Sequence, residues 1–403
     1  MKRLSSVRLV ALFALVALIA TFAPVTAQDA TSTQNLTDAC VENFDPDTDY
    51  FPDKIEIVDA TGFEVEYFNH YKVVTVTRPW PEADEDAAVT YVLVQCGTPA
   101  PDDIEADAVI NVPVNNFVSM STTYLPYMDL FGVLDGLVGV DMASLASNEA
   151  VLDKAAAGEL VDIAPNFNVD IETAIDLDPE LIFTYGFGFE TDSYLQLAGA
   201  GLPVALNGEF AEITPLARAE WGKFLSLFFN TEAIAEAEYS AILDEYAELS
   251  EMAAQVDDSP TVFLNSPFDG VWYMPGGVSY MATFLQDANV DYLWSDDDST
   301  GVLFLDFEAV FDVAADADFW INANQFWTTV DDALAEDPRY GEFEALQSGD
   351  VWINNLTTNE LGANDFFESG AAYPNLILAD LVAIFHPELL PDHEFVYYQQ
   401  LAE

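Results

Sequence analysis

The chain reads as an α/β protein of two Rossmann-like lobes with parallel sheets, joined by a single long α-helix and preceded by a small β-rich N-terminal extension. Three observations predict this. First, Asp170-Ile-Glu172-Thr-Ala-Ile175-Asp176-Leu177 and Asp306-Phe-Glu308-Ala-Val-Phe311-Asp312-Val313 repeat one pattern without a gap, and each then turns apolar, as a short helix running into a buried strand does. A spacing of 136 residues is too long for a solenoid unit and suits two similar lobes. Second, Ala235, Tyr239, Ile242, Tyr246, Leu249, Met252 and Val256 recur at steps of three or four between the two copies, which predicts one helix from Thr231 to Gln255. At about 1.5 Å per residue it is about 37 Å long. Third, short alternating runs such as Lys54–Val58, Phe63–Tyr67 and Lys72–Thr77, broken at Gly62, Pro79, Pro81 and Gly97, predict strands ahead of the first lobe.

The elements follow in order. A basic start (Lys2, Arg3, Arg8), an apolar run from Val10 to Ile19 and small residues at Val25-Thr26-Ala27 predict a secretory signal peptide over 1–27, cleaved after Ala27. No Cys follows that run, so no lipoprotein anchor is expected, and the mature chain is expected to be exported to the periplasm or the extracellular face. The extension occupies 28–107 and the N-terminal α/β lobe 108–213, with buried strands at Phe117–Met120, Leu137–Val140, Leu181–Thr184 and Leu202–Leu206. Residues 214–257 are the inter-lobe helices, the first opened by Thr214-Pro215 as cap and first turn. The C-terminal α/β lobe spans 258–403, with strands at Thr261–Leu264, Val271–Met274, Phe319–Ile321 and Val351–Ile353 and helices from Ser279 and over Pro374–Phe385.

The chain has 71 Asp/Glu against 10 Lys/Arg, three of the basic residues in the leader, so nucleic acid and anionic membrane surfaces are poor partners and no nucleic acid is expected. With 51% hydrophobic and 13% aromatic residues, the excess charge reads as a solvated acidic shell on a folded protein rather than as disorder. Cys40 and Cys96 are the only cysteines, and in an exported chain a single disulfide is expected, with two unpaired thiols as the alternative. Closing that loop stabilises a fold by about 4 kcal/mol in the chain-entropy model.

Taken together, Ser121-Thr-Thr, the Glu172 and Glu308 segments, Pro215-Leu-Ala-Arg-Ala-Glu-Trp221, Trp272-Tyr-Met-Pro-Gly-Gly-Val-Ser-Tyr280 and Asn364-Asp-Phe-Phe-Glu-Ser-Gly370 resemble one family. It is that of the substrate-binding proteins of ABC importers for ferric siderophores, haem and cobalamin. The resemblance runs from about Ile110 to Leu390. It implies capture of an iron chelate or cobalamin between the lobes and delivery to a permease dimer with its ATPase, by a monomer without catalytic residues or a resident cofactor. It also implies that Glu172 and Glu308, one per lobe, dock with permease arginines. An N-terminal helix position favoured by the helix dipole explains each Glu alone equally well.

In two-lobed α/β proteins ligands bind at the carboxyl ends of the strands. The expected ligand-binding residues are Ser121, Thr122, Thr123 and Tyr185 on one wall and Trp272, Tyr273, Gly276, Gly277, Trp327, Asn364 and Phe366 on the other. Helix capping also accounts for the Ser and Thr residues. Arg218 is read either as a partner for a ligand carboxylate or as half of a structural ion pair, the latter being favoured. Little positive charge and many aromatics suit a large neutral or cationic chelate better than a triply anionic catecholate complex. The competing readings are a secreted hydrolase, for which no Gly-x-Ser-x-Gly or HExxH motif appears, and a carboxylate-based metal-ion binding protein with few histidines (His70, His386, His393).

Overall fold

Residues 33–402 are described by the computed structural model, and the leader expected over 1–27 lies outside them. The extension's strands Phe63–Tyr67, Tyr71–Val76, Val89–Gln95 and Ala108–Val112 pair in that order, the last one parallel. Ala108–Val112, placed by sequence at the start of the N-terminal lobe, thus belongs to the extension's sheet. The Cys40–Cys96 disulfide is formed, and Val41 N donates to Cys96 O at 2.9 Å beside it.

Lys54–Val58, expected as a strand, is not one. Its backbone amides are taken by side chains instead of a neighbouring strand: Ile55 N by Tyr67 Oη (3.2 Å), Glu56 N by Glu236 (2.6 Å) and Val58 N by Glu220 (2.8 Å). Satisfied in that way, an extended segment needs no ladder.

The N-terminal lobe carries a parallel sheet in the spatial order Val161–Asp162, Leu137–Val140, Phe117–Ser119, Leu181–Thr184, Val204–Leu206. The C-terminal lobe repeats the scheme with Asp291–Tyr292, Thr261–Leu264, Phe319–Ile321 and Val351–Ile353, edged by antiparallel Gln399–Gln400. The repeated acidic segments are the helices Ile171–Asp176 and Phe307–Ala314, capped by Asp170 and Asp306. Each feeds the strand that lies directly beside its lobe's first strand. In both sheets the order in which successive strands are added reverses at that pair, which is where a crevice opens. The C-terminal lobe also carries a three-stranded antiparallel sheet (Pro267–Phe268, Val271–Pro275, Val302–Leu305) that the sequence pattern did not reveal.

Two helices connect the lobes. Pro215–Phe229, capped by Thr214, is buried on nearly every side, because the extension covers the face that the N-terminal lobe leaves open. Asn230 then takes a left-handed turn (φ 59°), and Glu232–Ala253 runs 22 residues, about 33 Å. Its Ala235 sits in the core of the N-terminal half, and its Tyr246, Leu249 and Ala253 sit in the core of the C-terminal lobe. The linker therefore has no unpacked middle at which to bend.

Buried charge locks the extension to this helix pair. Lys72, fully buried, donates to Leu227 O (2.6 Å), Asn230 Oδ1 (3.0 Å) and Glu232 Oε1 (2.5 Å), while Glu232 Oε2 accepts from Asn35 (2.8 Å). Removing one partner of such a pair strands the other charge in a dry site. Lys72→Ala is therefore expected to lower unfolding free energy in urea by about 3–5 kcal/mol, and Lys72→Met combined with Glu232→Gln by less than that single change. A loss below about 1 kcal/mol for Lys72→Ala would show that the pair carries little.

Candidate functional site

The carboxyl ends of both sheets face each other, and the residues that leave them build the site. Asn265, Asn322 and Asn354 each stand immediately after the last residue of a C-terminal-lobe strand. Asn265 and Asn322 take the left-handed conformation (φ 62° and 51°), which asparagine tolerates better than most residues. With Gln325 they form an amide wall of a cavity of about 340 Å³. Phe366, Phe367 and Tyr280 supply its aromatic surface, and Thr123 and Arg218 close it from the opposite side. A second cavity, of about 450 Å³, shares Arg218, Tyr280 and Met281 with the first and continues the cleft past Phe210 and Ile213.

Between the two cavities the Arg218 guanidinium lies over the Tyr280 ring at 4.2 Å. Its Nε is 3.4 Å from Glu209 Oε2, and its Nη2 donates to Phe210 O at 3.0 Å. Thr123 Oγ1 donates to Glu209 Oε1 (3.1 Å) and lies 2.8 Å from Ser121 Oγ. Burial raises the Glu209 carboxyl above its ordinary range, while Arg218 and Thr123 pull it down. Burial also pushes the Tyr280 hydroxyl up to about 12, against the pull of Arg218. The cation of the cleft is thus already paired, which is the structural role expected for Arg218.

Of the expected ligand-binding residues, Thr123 and Phe366 line the cleft. Ser121 caps the turn that presents Thr123, and Thr122 begins that turn. Tyr185 is half-buried against Phe187 (5.5 Å), at the rim of the same lobe. Asn364 is buried, donating to Asn354 O (2.9 Å) and Gln325 Oε1 (3.3 Å), so it props two wall residues.

Trp272 and Trp327 are corrections. Strand alternation turns Trp272 into the core, where it is fully buried and its Nε1 donates to Leu264 O (2.7 Å), and turns Tyr273 outward. Trp327 packs on Trp320 and Tyr340 and donates to Glu336. Gly276 and Gly277 lie under the 294–299 loop: a Cβ on either would meet backbone oxygens at 2.3–2.5 Å. Their smallness lets that loop close over them and seat the helix that begins at Tyr280. The amides and Tyr280 were missed, although an Asn directly after an apolar strand run was a visible signal.

Glu172 and Glu308 occupy equivalent second positions of equivalent helices, and both are exposed. They differ in one respect: Glu308 pairs with Arg339 at 3.2 Å. His386 and His393 are engaged elsewhere, with Ala288 O (3.0 Å) and Asp380 (2.7 Å).

A further contact between the lobes lies beside the Asn148 loop, where Ser147, Asn148, Asn359 and Glu368 also line a cavity of about 500 Å³. Glu368, 2% exposed, accepts from Ser147 N (2.6 Å) and Asn148 N (2.8 Å), and Asn359 donates to Ala146 O (3.1 Å).

A profile of the family described as periplasmic binding protein matches residues 118–353. An uncharacterized lipoprotein of Methanocaldococcus jannaschii is 24% identical over 291 residues, 70% of this chain and 67% of its own. Among solved structures, a periplasmic binding protein from Veillonella parvula superposes with a TM-score of 0.54 at 15% identity, covering 78% of this chain and 98% of that one. A periplasmic heme binding protein from Pseudomonas aeruginosa gives 0.52 at 18% identity, covering 72% and 99%. At these identities the superpositions show the two-lobed fold.

Burial pushes Glu368 up to about 7, against the pull of the two amides. A carboxyl whose folded value lies above its unfolded one contributes stability that is full below about 4.5 and lost as the pH rises through 7. The stability of the native chain relative to Glu368→Gln should therefore fall by roughly 3 kcal/mol between pH 4.5 and 8. Denaturant titrations of both proteins across that range check this, and a pH-independent difference would refute it.

Proposed function

The chain belongs to the periplasmic binding protein family, and from that premise we propose that it is the extracytoplasmic solute-binding component of an ABC importer. It captures a large neutral or cationic metal chelate, of ferric hydroxamate or corrinoid type, between its lobes and hands it to a permease dimer with its ATPase. One observation carries the ligand class: the cleft is walled by amides and aromatics, and its Arg218 is already paired with Glu209. An anionic ligand would have to compete with Glu209 for that cation, so its desolvation would be poorly compensated. Amide walls donate to and accept from a neutral polar chelate, and aromatic faces cover its apolar periphery. A helix anchored in both cores limits the lobes to small relative motions, so the cleft is largely formed before the ligand arrives.

A thermal-shift screen tests the reading. Ferric trihydroxamates or cobalamin should stabilise the protein saturably, by about 2.7 kcal/mol at a hundredfold excess over Kd, and a ferric tricatecholate should not. Stabilisation by the catecholate alone would overturn the charge argument.

Docking through Glu172 and Glu308 rests on their equivalent, exposed places at the starts of two topologically matched helices. Exposed ion pairs contribute about 0–1 kcal/mol each, so two of them would set register more than affinity. Glu172→Lys with Glu308→Lys is expected to abolish uptake in the native host while leaving chelate affinity within about twofold. Unimpaired uptake would remove the docking role.

A further inference from the structure

The family match begins at Val118, so the extension lies outside it, yet the extension reaches the cleft. Pro81 and Glu82 line the cavity of about 450 Å³ together with Phe210 and Arg218 from one side and Tyr280 and Thr300 from the other. The segment is built into the N-terminal lobe. A Cβ on Gly188 would meet Trp80 Nε1 at 2.6 Å, and one on Gly208 would meet Arg78 O at 2.6 Å. Two strand-end loops of that lobe therefore have glycine where the extension passes. Trp80 packs on Tyr194 (6.1 Å), Arg78 Nη2 donates to Thr61 Oγ1 (2.7 Å), and Ala83 N closes a turn on Trp80 O (3.2 Å). Glu82 itself is held at φ 60°, a conformation that a residue with a side chain adopts where its surroundings impose it.

The charges on this cavity are unequal. Arg218 is paired with Glu209, and Glu212 is occupied by Thr61, Gly62 and Trp221. Glu82 is exposed and makes no ion pair or side-chain hydrogen bond among the described residues. Among the described residues that line this cavity, it is the one charge left for a ligand to answer.

We propose that the Pro79–Glu82 segment is a third wall of the ligand cleft, contributed by the extension, and that Glu82 selects for chelates carrying a cationic group at this end. The inference rests on the binding reading above and adds to it the residue that discriminates. A cation placed at Glu82 gains a charge-assisted contact, whereas a carboxylate there meets an unanswered like charge.

The test uses the full mature protein and two ferric trihydroxamates, one linear with a protonated amine arm and one cyclic without it, titrated by quenching of tryptophan fluorescence. The native protein should bind the amine-armed chelate more tightly. Glu82→Gln should weaken that chelate about fivefold and leave the cyclic one within about twofold. Glu251→Gln, on the exposed face of the linker helix, removes the same charge from the protein and should change neither. Equal effects of Glu82→Gln on both chelates, no effect on either, or a native preference for the cyclic chelate would each overturn selection by Glu82. If the native protein binds neither chelate, the binding reading falls first and this inference with it, an outcome visible before any variant is made.

Discussion

A buried carboxylate that collects backbone amides is the interaction on which this structure depends. Glu220, fully buried on the Pro215–Phe229 helix, accepts from Val58, Asp59 and Ala60 N, and Glu212 accepts from Thr61 and Gly62 N. Asp380 does the same for Val396, Tyr397 and Tyr398 near the C-terminus. Irregular chain carries unpaired N–H groups, and burying them without acceptors is costly. A two-oxygen anion satisfies several at once, and its charge is spread over those donors. In a protein with 71 acidic residues the few that are buried thus act as fasteners, while the remainder keep the surface solvated.

The fasteners explain why the lobes sit as they do. Glu212, Glu220 and Glu232 all lie on or beside the helix pair between the lobes, and each of them accepts hydrogen bonds from the extension. The extension is consequently a splint: it covers the helix that would otherwise expose Trp221 and Phe224, and it stiffens the approach to the linker. Glu368 joins the C-terminal lobe to the Ser147–Asn148 loop in the same manner. Together with the linker helix, that contact holds the two lobes against each other beside the cleft.

Much of this was legible in the residues, and the parts that were not share a cause. The segments around Glu172 and Glu308 could be matched because lobe topology repeats, and a repeated helix-to-strand junction imposes the same spacing of cap, apolar face and buried run. The linker was legible from its 3.6-residue period, to within two residues at its C-terminal end. Trp272 was misplaced by one step of strand parity, because an aromatic pair in a strand puts one ring on each face and composition does not say which. Lys54–Val58 alternates like a strand but has its amides satisfied by Glu220 and Glu236, more than 150 residues away.

The sequence by itself determined the fold class, the two-lobe order and the linker, because local periodicity and caps specify elements and their succession. The tertiary structure alone decided which carboxylates are buried, that Arg218 is paired with Glu209, and that Asn265, Asn322 and Asn354 meet in one wall. These are contacts between residues far apart in the chain. Their formation depends on how sheets and helices stack in three dimensions, and no local pattern carries that.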